Sequence, residues 1–303
     1  MRAIARAAGD RAGACETSGR TSMYRLALYG KGGIGKSTTA CNLAAALAQA
    51  GHAVMQVGCD PKADSTRLLT GGRTLPTVLD RMRDGGAVGL DDIVFRAANG
   101  VLCVEAGGPV PGVGCAGRGI IAAFDLLEKL DAFGAYRPDF VLYDVLGDVV
   151  CGGFAMPLRG DYSDGVMVVT SGEMMSLYAA GSIMRAIENF QKRGYASFRG
   201  LIANLRAVDD EVGKIGRFCE EEGAFVAATV PRSPLVQRAE DEGAPAVELF
   251  SESELAEAYR ALARTVESFA REAEAAHDAG TVREGVAASA GSTRVADEGG
   301  SSR

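Results

Sequence analysis

Lysine, serine and glycine stand at a fixed spacing in Gly30-Lys31-Gly32-Gly33-Ile34-Gly35-Lys36-Ser37, which fits the pattern G-x-x-x-x-G-K-[ST]. Glycines let successive backbone N–H groups turn inward around phosphate oxygens, and a following helix N-terminus adds a favourable field. Lys36 is expected at the β- and γ-phosphates, and Ser37 at Mg²⁺. The expected nucleotide contacts are therefore Gly30, Lys31, Gly32, Gly33, Ile34, Gly35, Lys36, Ser37 and the adjoining Thr38, and the ligand is MgATP.

Two further segments carry acids where strands are expected to end. They are Gly58-Cys59-Asp60-Pro61-Lys62-Ala63-Asp64 and Asp144-Val145-Leu146-Gly147-Asp148. An acid in such a place holds Mg²⁺ or orients the attacking water. Asp60 is assigned to water activation, Asp64 and Asp144 to Mg²⁺ or switching, and Asp148 to passing the nucleotide state toward Cys151. Turn-capping accounts for any one of these acids, but not for the set.

Seven cysteines occur, at 15, 41, 59, 103, 115, 151 and 219. The odd count and the lack of Cys-x-x-Cys argue for reduced thiols in a cytoplasmic setting. Cys115 in GVGCAGRG and Cys151 in DVVCGGF lie in or beside glycine-rich turns, where backbone N–H groups can approach sulfur. A cubane cluster wants four thiolates, so a two-fold homodimer would place one cluster on its axis. Cys41, Cys59, Cys103 and Cys219 are expected to pack, as is the Met174-Met175 pair.

These residues need elements to hold them. Apolar β-prone runs predict strands at Tyr24–Tyr29, Ala53–Val57, Val101–Glu105, Phe140–Tyr143, Val166–Thr170, Gly200–Ala203 and Phe225–Val230. Helical patterns occupy Ser37–Ala50, Ile120–Leu130, Leu177–Lys192, Asp210–Glu222 and Glu252–Glu272. The alternation predicts an α/β fold, a P-loop NTPase with a mostly parallel sheet and helices on both faces.

The 303 residues are 47% apolar and 23% charged, enough for one large domain. A net charge of −7 argues against a nucleic-acid partner. The apolar runs fall short of the roughly 20 residues that cross a bilayer, so no membrane partner is expected. Composition divides the chain into residues 1–22, a disordered leader or the result of a start codon placed upstream of Met23, a domain at 23–273, and a disordered tail at 274–303.

Lys31, just after the first glycine, resembles the deviant Walker A class, which includes nitrogenase iron proteins and ParA/MinD ATPases. That resemblance implies a lysine crossing a homodimer interface to the partner's nucleotide. The runs YGKGGIGKSTT, VGCDPKADSTRL, VEAGGPVPGVGCAGRG, YDVLGDVVCGGFAMPLR, SGEMMSLYAA and VPRSPLVQRAE are together similar to the nitrogenase iron protein family over residues 24–272. The resemblance implies a homodimer whose [4Fe-4S] cluster is bridged by Cys115 and Cys151. It also implies MgATP-driven one-electron transfer to a separate catalytic component, with a ferredoxin or flavodoxin as donor. By motif position Asn204 and Gln237 contact adenine, and Ser233 stands where the family usually has Asp. Arg118 matches an arginine on the family's docking face that is ADP-ribosylated in some bacteria.

Related reductases serve protochlorophyllide, chlorophyllide, nickel-tetrapyrrole and methylthio-alkane systems. GVGCAGRG and GEMMSLYAA resemble the nitrogenase side, while the low-complexity tail, Ala203–Arg206 and Ser233 depart from it. These features favour a nitrogenase-like reductase component, methylthio-alkane reductase first and dinitrogenase reductase second. A ParA/MinD-like positioning ATPase is the contrasting class. It shares the P-loop but needs neither Cys115 nor Cys151, and it commonly carries a basic surface or a membrane-targeting tail.

Overall fold

The computed structural model of the chain describes residues 5–6, 23–108, 116–147, 155–158, 162–191 and 196–291. Cys115, Asp148 and Cys151 lie outside these residues. The strands are β1 (Ala5–Arg6), β2 (Tyr24–Tyr29), β3 (Val54–Gly58), β4 (Phe95–Arg96), β5 (Leu102–Glu105), β6 (Phe140–Asp144), β7 (Gly165–Thr170), β8 (Ser197–Asn204) and β9 (Val226–Val230). The helices are α1 (Lys36–Gln49), α2 (Val78–Arg83), α3 (Leu90–Ile93), α4 (Ala116–Lys129), α5 (Ala132–Tyr136), α6 (Met174–Gln191), α7 (Glu211–Glu222), α8 (Leu235–Glu242), α9 (Ala246–Leu249) and α10 (Glu254–Gly291).

The described strands form one sheet in the order β1-β4-β5-β3-β6-β2-β7-β8-β9. Pairing is parallel from β5 across to β9, and antiparallel where β1 and β4 extend the edge. The α/β expectation therefore stands. Alternation along β2 shows why. Leu26 and Leu28 face one core with α1 and α10, while Ala27 and Tyr29 face the other with α4, α6 and α7. A strand buried on both faces reads as a continuous apolar run rather than an alternating one.

Helix α1 lies flat on the sheet because its inward positions are small, Ala40, Ala44 and Ala45, with Leu43 and Leu47 fully buried between them. Truncating Leu47 to Ala there would cost roughly 2–5 kcal/mol. Strand β2 leads directly into the loop at Gly30 and then into α1, at the carboxyl end of the parallel strands, where open α/β sheets bind ligands.

Several expectations need correction. Ala5–Arg6 is not unstructured, since it pairs with Phe95–Arg96. The last helix does not stop at Glu272 but runs to Gly291, through a stretch whose alanine and glutamate favour helix. Met174 and Met175 are not core residues. They are 77% and 54% exposed on the first turn of α6, beside Tyr178 at 68%. At about 100° per residue both methionines fall well away from the buried face of α6, which Ser176, Ala180, Ile183 and Ile187 occupy. Among the described residues no helix is long and apolar enough to cross a membrane.

Candidate functional site

Gly30 leaves β2 at φ 149°, where a Cβ would sit 2.3 Å from the Val169 carbonyl of β7, so the loop begins where only glycine fits. Gly35, at φ 97°, is the N-cap of α1 and offers no side-chain cap, and no acid occupies the first turn. The first N–H groups of α1 are thus left for a ligand, and they sit at the positive end of the helix dipole.

The loop is held from two sides. Asn204 Nδ2 donates to the Ile34 carbonyl at 2.7 Å, and Arg206 Nη2 donates to the Gly33 carbonyl at 2.7 Å. From within, Lys36 Nζ donates to the Lys31 carbonyl at 3.3 Å, and Lys36 is only 8% exposed. A desolvated ammonium in this position is primed for an anion.

A cleft of about 620 Å³ opens on the loop, within the usual range of ligand pockets, roughly 300–1,000 Å³. It brings together Gly32, Gly33, Gly35, Lys36, Ser37 and Thr38 with Asp60, Asp64, Asn204 and Gln237. Gly30, Lys31 and Ile34 belong to the same loop but do not line the cleft. Ser233 also faces the cleft, and its Oγ accepts the Leu235 backbone N–H at 3.2 Å.

Asp144 ends β6 and is 2% exposed. Burial pushes its carboxyl above the ordinary range, against the pull of hydrogen bonds from Ser37 and Ser65 and of the Lys36 charge. Ser37 hydroxyl, Asp144 carboxylate and the nearby Asp60 and Asp64 are hard oxygen donors, a set that fits Mg²⁺. Asp60 also caps its own turn, accepting the Lys62 N–H at 2.9 Å, while Ala63 is held at φ 53°. Such backbone strain away from glycine is kept where the surroundings require it.

The segment after Asp144 touches the loop directly. A Cβ on Gly147 would lie 2.2 Å from the Gly30 carbonyl and 2.9 Å from the Gly32 nitrogen. The described cysteines behave as packing residues. Burial pushes the Cys41 thiol up to about 12 and holds Cys59 and Cys103 well above the usual thiol range, which disfavours the thiolate that metals bind. Helix α4 begins at Ala116, the residue after Cys115, and Arg118 is exposed on its first turn.

The sequence did not point to Lys62, Arg206, Arg232, Glu240 or Tyr259, all of which line the cleft. Glu240 had a signal, because it stands three residues after Gln237 on the same helix face, and it lies 3.3 Å from the Thr38 hydroxyl. Tyr259 had none, since it comes from α10, remote in sequence.

Comparison with known proteins follows the same lines. The family model for 4Fe-4S iron sulfur cluster binding proteins, NifH/frxC family, matches residues 24–275. A nitrogenase iron protein from Methanospirillum hungatei is 53% identical over 248 residues, 80% of this chain and 88% of that protein. Nitrogenase iron protein 2 from Methanothermococcus thermolithotrophicus is 48% identical over 257 residues, with the same two coverages of 80% and 88%. Among solved structures, the cell division ATPase MinD of Pyrococcus furiosus gives a TM-score of 0.64 at 21% identity, over 82% of this chain and 99% of that one. That second likeness is one of fold alone.

Proposed function

The chain belongs to the NifH/frxC family of 4Fe-4S cluster-binding proteins, and on that premise we propose that it is the reductase component of a nitrogenase, spending MgATP to pass single electrons to a separate catalytic component. Family members are ATP-hydrolysing electron-transfer components that act as homodimers with one cluster per dimer. The relatives at 53% and 48% identity are named nitrogenase iron proteins, which favours dinitrogenase as the electron acceptor. The preference for methylthio-alkane reductase, taken from the tail and from Ala203–Arg206, gains no support from those names and gives way to this reading. The MinD likeness leaves the positioning-ATPase reading with a shared fold only.

One observation carries the proposal. The segment leading toward Cys151 leaves the floor of the nucleotide cleft, with Asp144 bonded to Ser37 and Gly147 packed on the phosphate loop. In this reading the loop N–H groups and Lys36 take the phosphates, and Ser37 with Asp144 and Asp64 holds Mg²⁺. Asp60 orients the attacking water, and Lys31 reaches the nucleotide of the partner subunit. Asn204 and Gln237 contact the adenine.

A [4Fe-4S] cluster bound by Cys115 and Cys151 of both subunits supplies a one-electron redox centre. Loss of the γ-phosphate changes what Ser37 and Asp144 hold, and Asp148 passes that change along the chain toward Cys151. Arg118, exposed on the first turn of α4, is assigned to contact with the catalytic component. The compartment is the cytoplasm, and the donor a ferredoxin or flavodoxin.

Anaerobically purified protein is expected to hold about four irons per dimer and to show a reduced-cluster EPR signal. Mixed with a dinitrogenase component, it should support MgATP-dependent substrate reduction. Transfer to a methylthio-alkane reductase component instead would reassign the acceptor. Protein without iron, whose ATPase is indifferent to Cys151→Ser, would refute the redox reading.

A further inference from the structure

Gly58, Glu105 and Asp144 lie side by side. Gly58 pairs in register with Glu105 on one flank and Asp144 on the other, at the carboxyl ends of β5, β3 and β6. In-register residues of neighbouring parallel strands point to one face, so both carboxylates stand on the α1 side with glycine between them. A Cβ at position 58 would lie 2.1 Å from Glu105 Oε2, which leaves no room for any other residue there.

Two consecutive loop residues divide between the two acids. Ser65 hydrogen-bonds Asp144. Thr66 donates both its backbone N–H, at 2.7 Å, and its hydroxyl, at 2.6 Å, to Glu105 Oε1. Glu105 is 1% exposed, and its Oε2 has no hydrogen-bond partner among the described residues. These are short bonds to an acid out of water, the kind that hold geometry most firmly.

The same loop grips the chain a second time just beyond. Pro61, flanked by cleft residues Asp60 and Lys62, lies where a Cβ on Gly108 would meet its Cβ at 2.3 Å. Gly119 of α4 packs in turn against Gly107 and Gly108. Residues Glu105–Gly108 are thus clamped between the loop that carries Asp60, Pro61 and Thr66 (the nucleotide loop) and the helix that begins one residue after Cys115.

We propose that Thr66 and Glu105 are positioning residues that tie the nucleotide loop to the Cys115 side of the cluster, a second arm beside the one running from Asp144 to Cys151. This rests on the reductase reading above. Ser65 and Thr66 then report one loop movement to both cysteine-bearing segments at once.

The test uses holo-dimer prepared anaerobically and follows capture of cluster iron by a chelator with and without MgATP. Thr66→Val removes the hydroxyl at constant volume, and Thr66→Ser keeps it. The valine variant should hold the wild-type iron content and bind MgATP within about threefold of wild type. It should lose most of the nucleotide-induced change in chelation rate, at least about fivefold, and Thr66→Ser should restore it. Glu105→Gln, which keeps shape but weakens the bond, should fall between, and it serves if the valine variant does not fold. A nucleotide response in Thr66→Val or Glu105→Gln equal to that of wild type would overturn the second arm alone. Wild-type protein without iron would overturn the reductase reading and this inference with it.

Discussion

Gly147 lies against Gly30 so closely that a Cβ on the former would sit 2.2 Å from the carbonyl oxygen of the latter. Backbone thus rests on backbone where the segment from Asp144 passes the phosphate loop, and neither partner can yield by turning a side chain. Any displacement of the loop by a nucleotide must move this segment.

Replacing Gly147 with Ala is therefore expected to force the two backbones apart. Iron content should stay near the wild-type value, while MgATP-dependent electron transfer falls at least about tenfold, equivalent to 1.4 kcal/mol or more of lost coupling. Parallel iron analysis and substrate-reduction assays would check this, and a variant with unchanged transfer would show the contact to be incidental.

Asn204 ties the Ile34 carbonyl and faces the cleft with the rest of its amide. In the proposed reading the Asn204→Ala change removes both the tether and a polar contact to the base, each worth roughly 0.5–1.5 kcal/mol. Calorimetric titration should show MgATP binding weakened by about 5- to 150-fold, with little change in melting temperature.

Glu211 clamps the wall next to Asn204. Its carboxylate accepts the N–H groups of Gly172 at 2.9 Å, Arg206 at 3.0 Å and Val208 at 3.2 Å. Burial alone would raise its pKa, but these donors outweigh it and hold the group below the ordinary range. Because the folded value is lowered, the stabilisation is present above the unfolded carboxylate pKa and disappears as pH falls through the folded one. Glu211→Gln should cost about 2–3 kcal/mol at pH 7, and denaturant titrations should show the deficit shrinking in strong acid.

Glu105 behaves in the opposite sense. Burial pushes its carboxyl up to about 7 from 4.5, despite the two bonds from Thr66. Between those values the folded protein holds a proton that the unfolded chain releases, so its contribution is full at low pH and fades as pH rises toward 7. The span corresponds to about 3 kcal/mol. Relative to wild type, Glu105→Gln should gain stability between pH 5 and pH 8. A stability difference independent of pH would show that Glu105 does not titrate in this window.

The phosphate loop was legible because its chemistry is local. Glycines, lysine and serine within Gly30–Ser37, set between a strand and a helix, specify a phosphate cradle whatever surrounds them. The parallel sheet was legible for a related reason, since Leu26–Tyr29 and Val141–Tyr143 are apolar at every position and so must be covered on both faces. Short α8 and α9 were not. With few residues each they carry no sustained period, and the α8 face is set by what it meets across the cleft.

What the sequence determined by itself is the inventory: a phosphate loop, acids after strands, two cysteines in glycine-rich runs, and a family resemblance along nearly the whole domain. What only the tertiary structure decided is adjacency. Gly58 gains its meaning from Glu105 and Asp144 standing in register beside it, and Thr66 from reaching one of them. Strand order in a parallel sheet is set by crossovers and by packing of both faces, which no local spacing encodes. The residues proposed to hold the phosphates could therefore be read along the chain, whereas those proposed to carry the nucleotide state onward became visible only across the sheet.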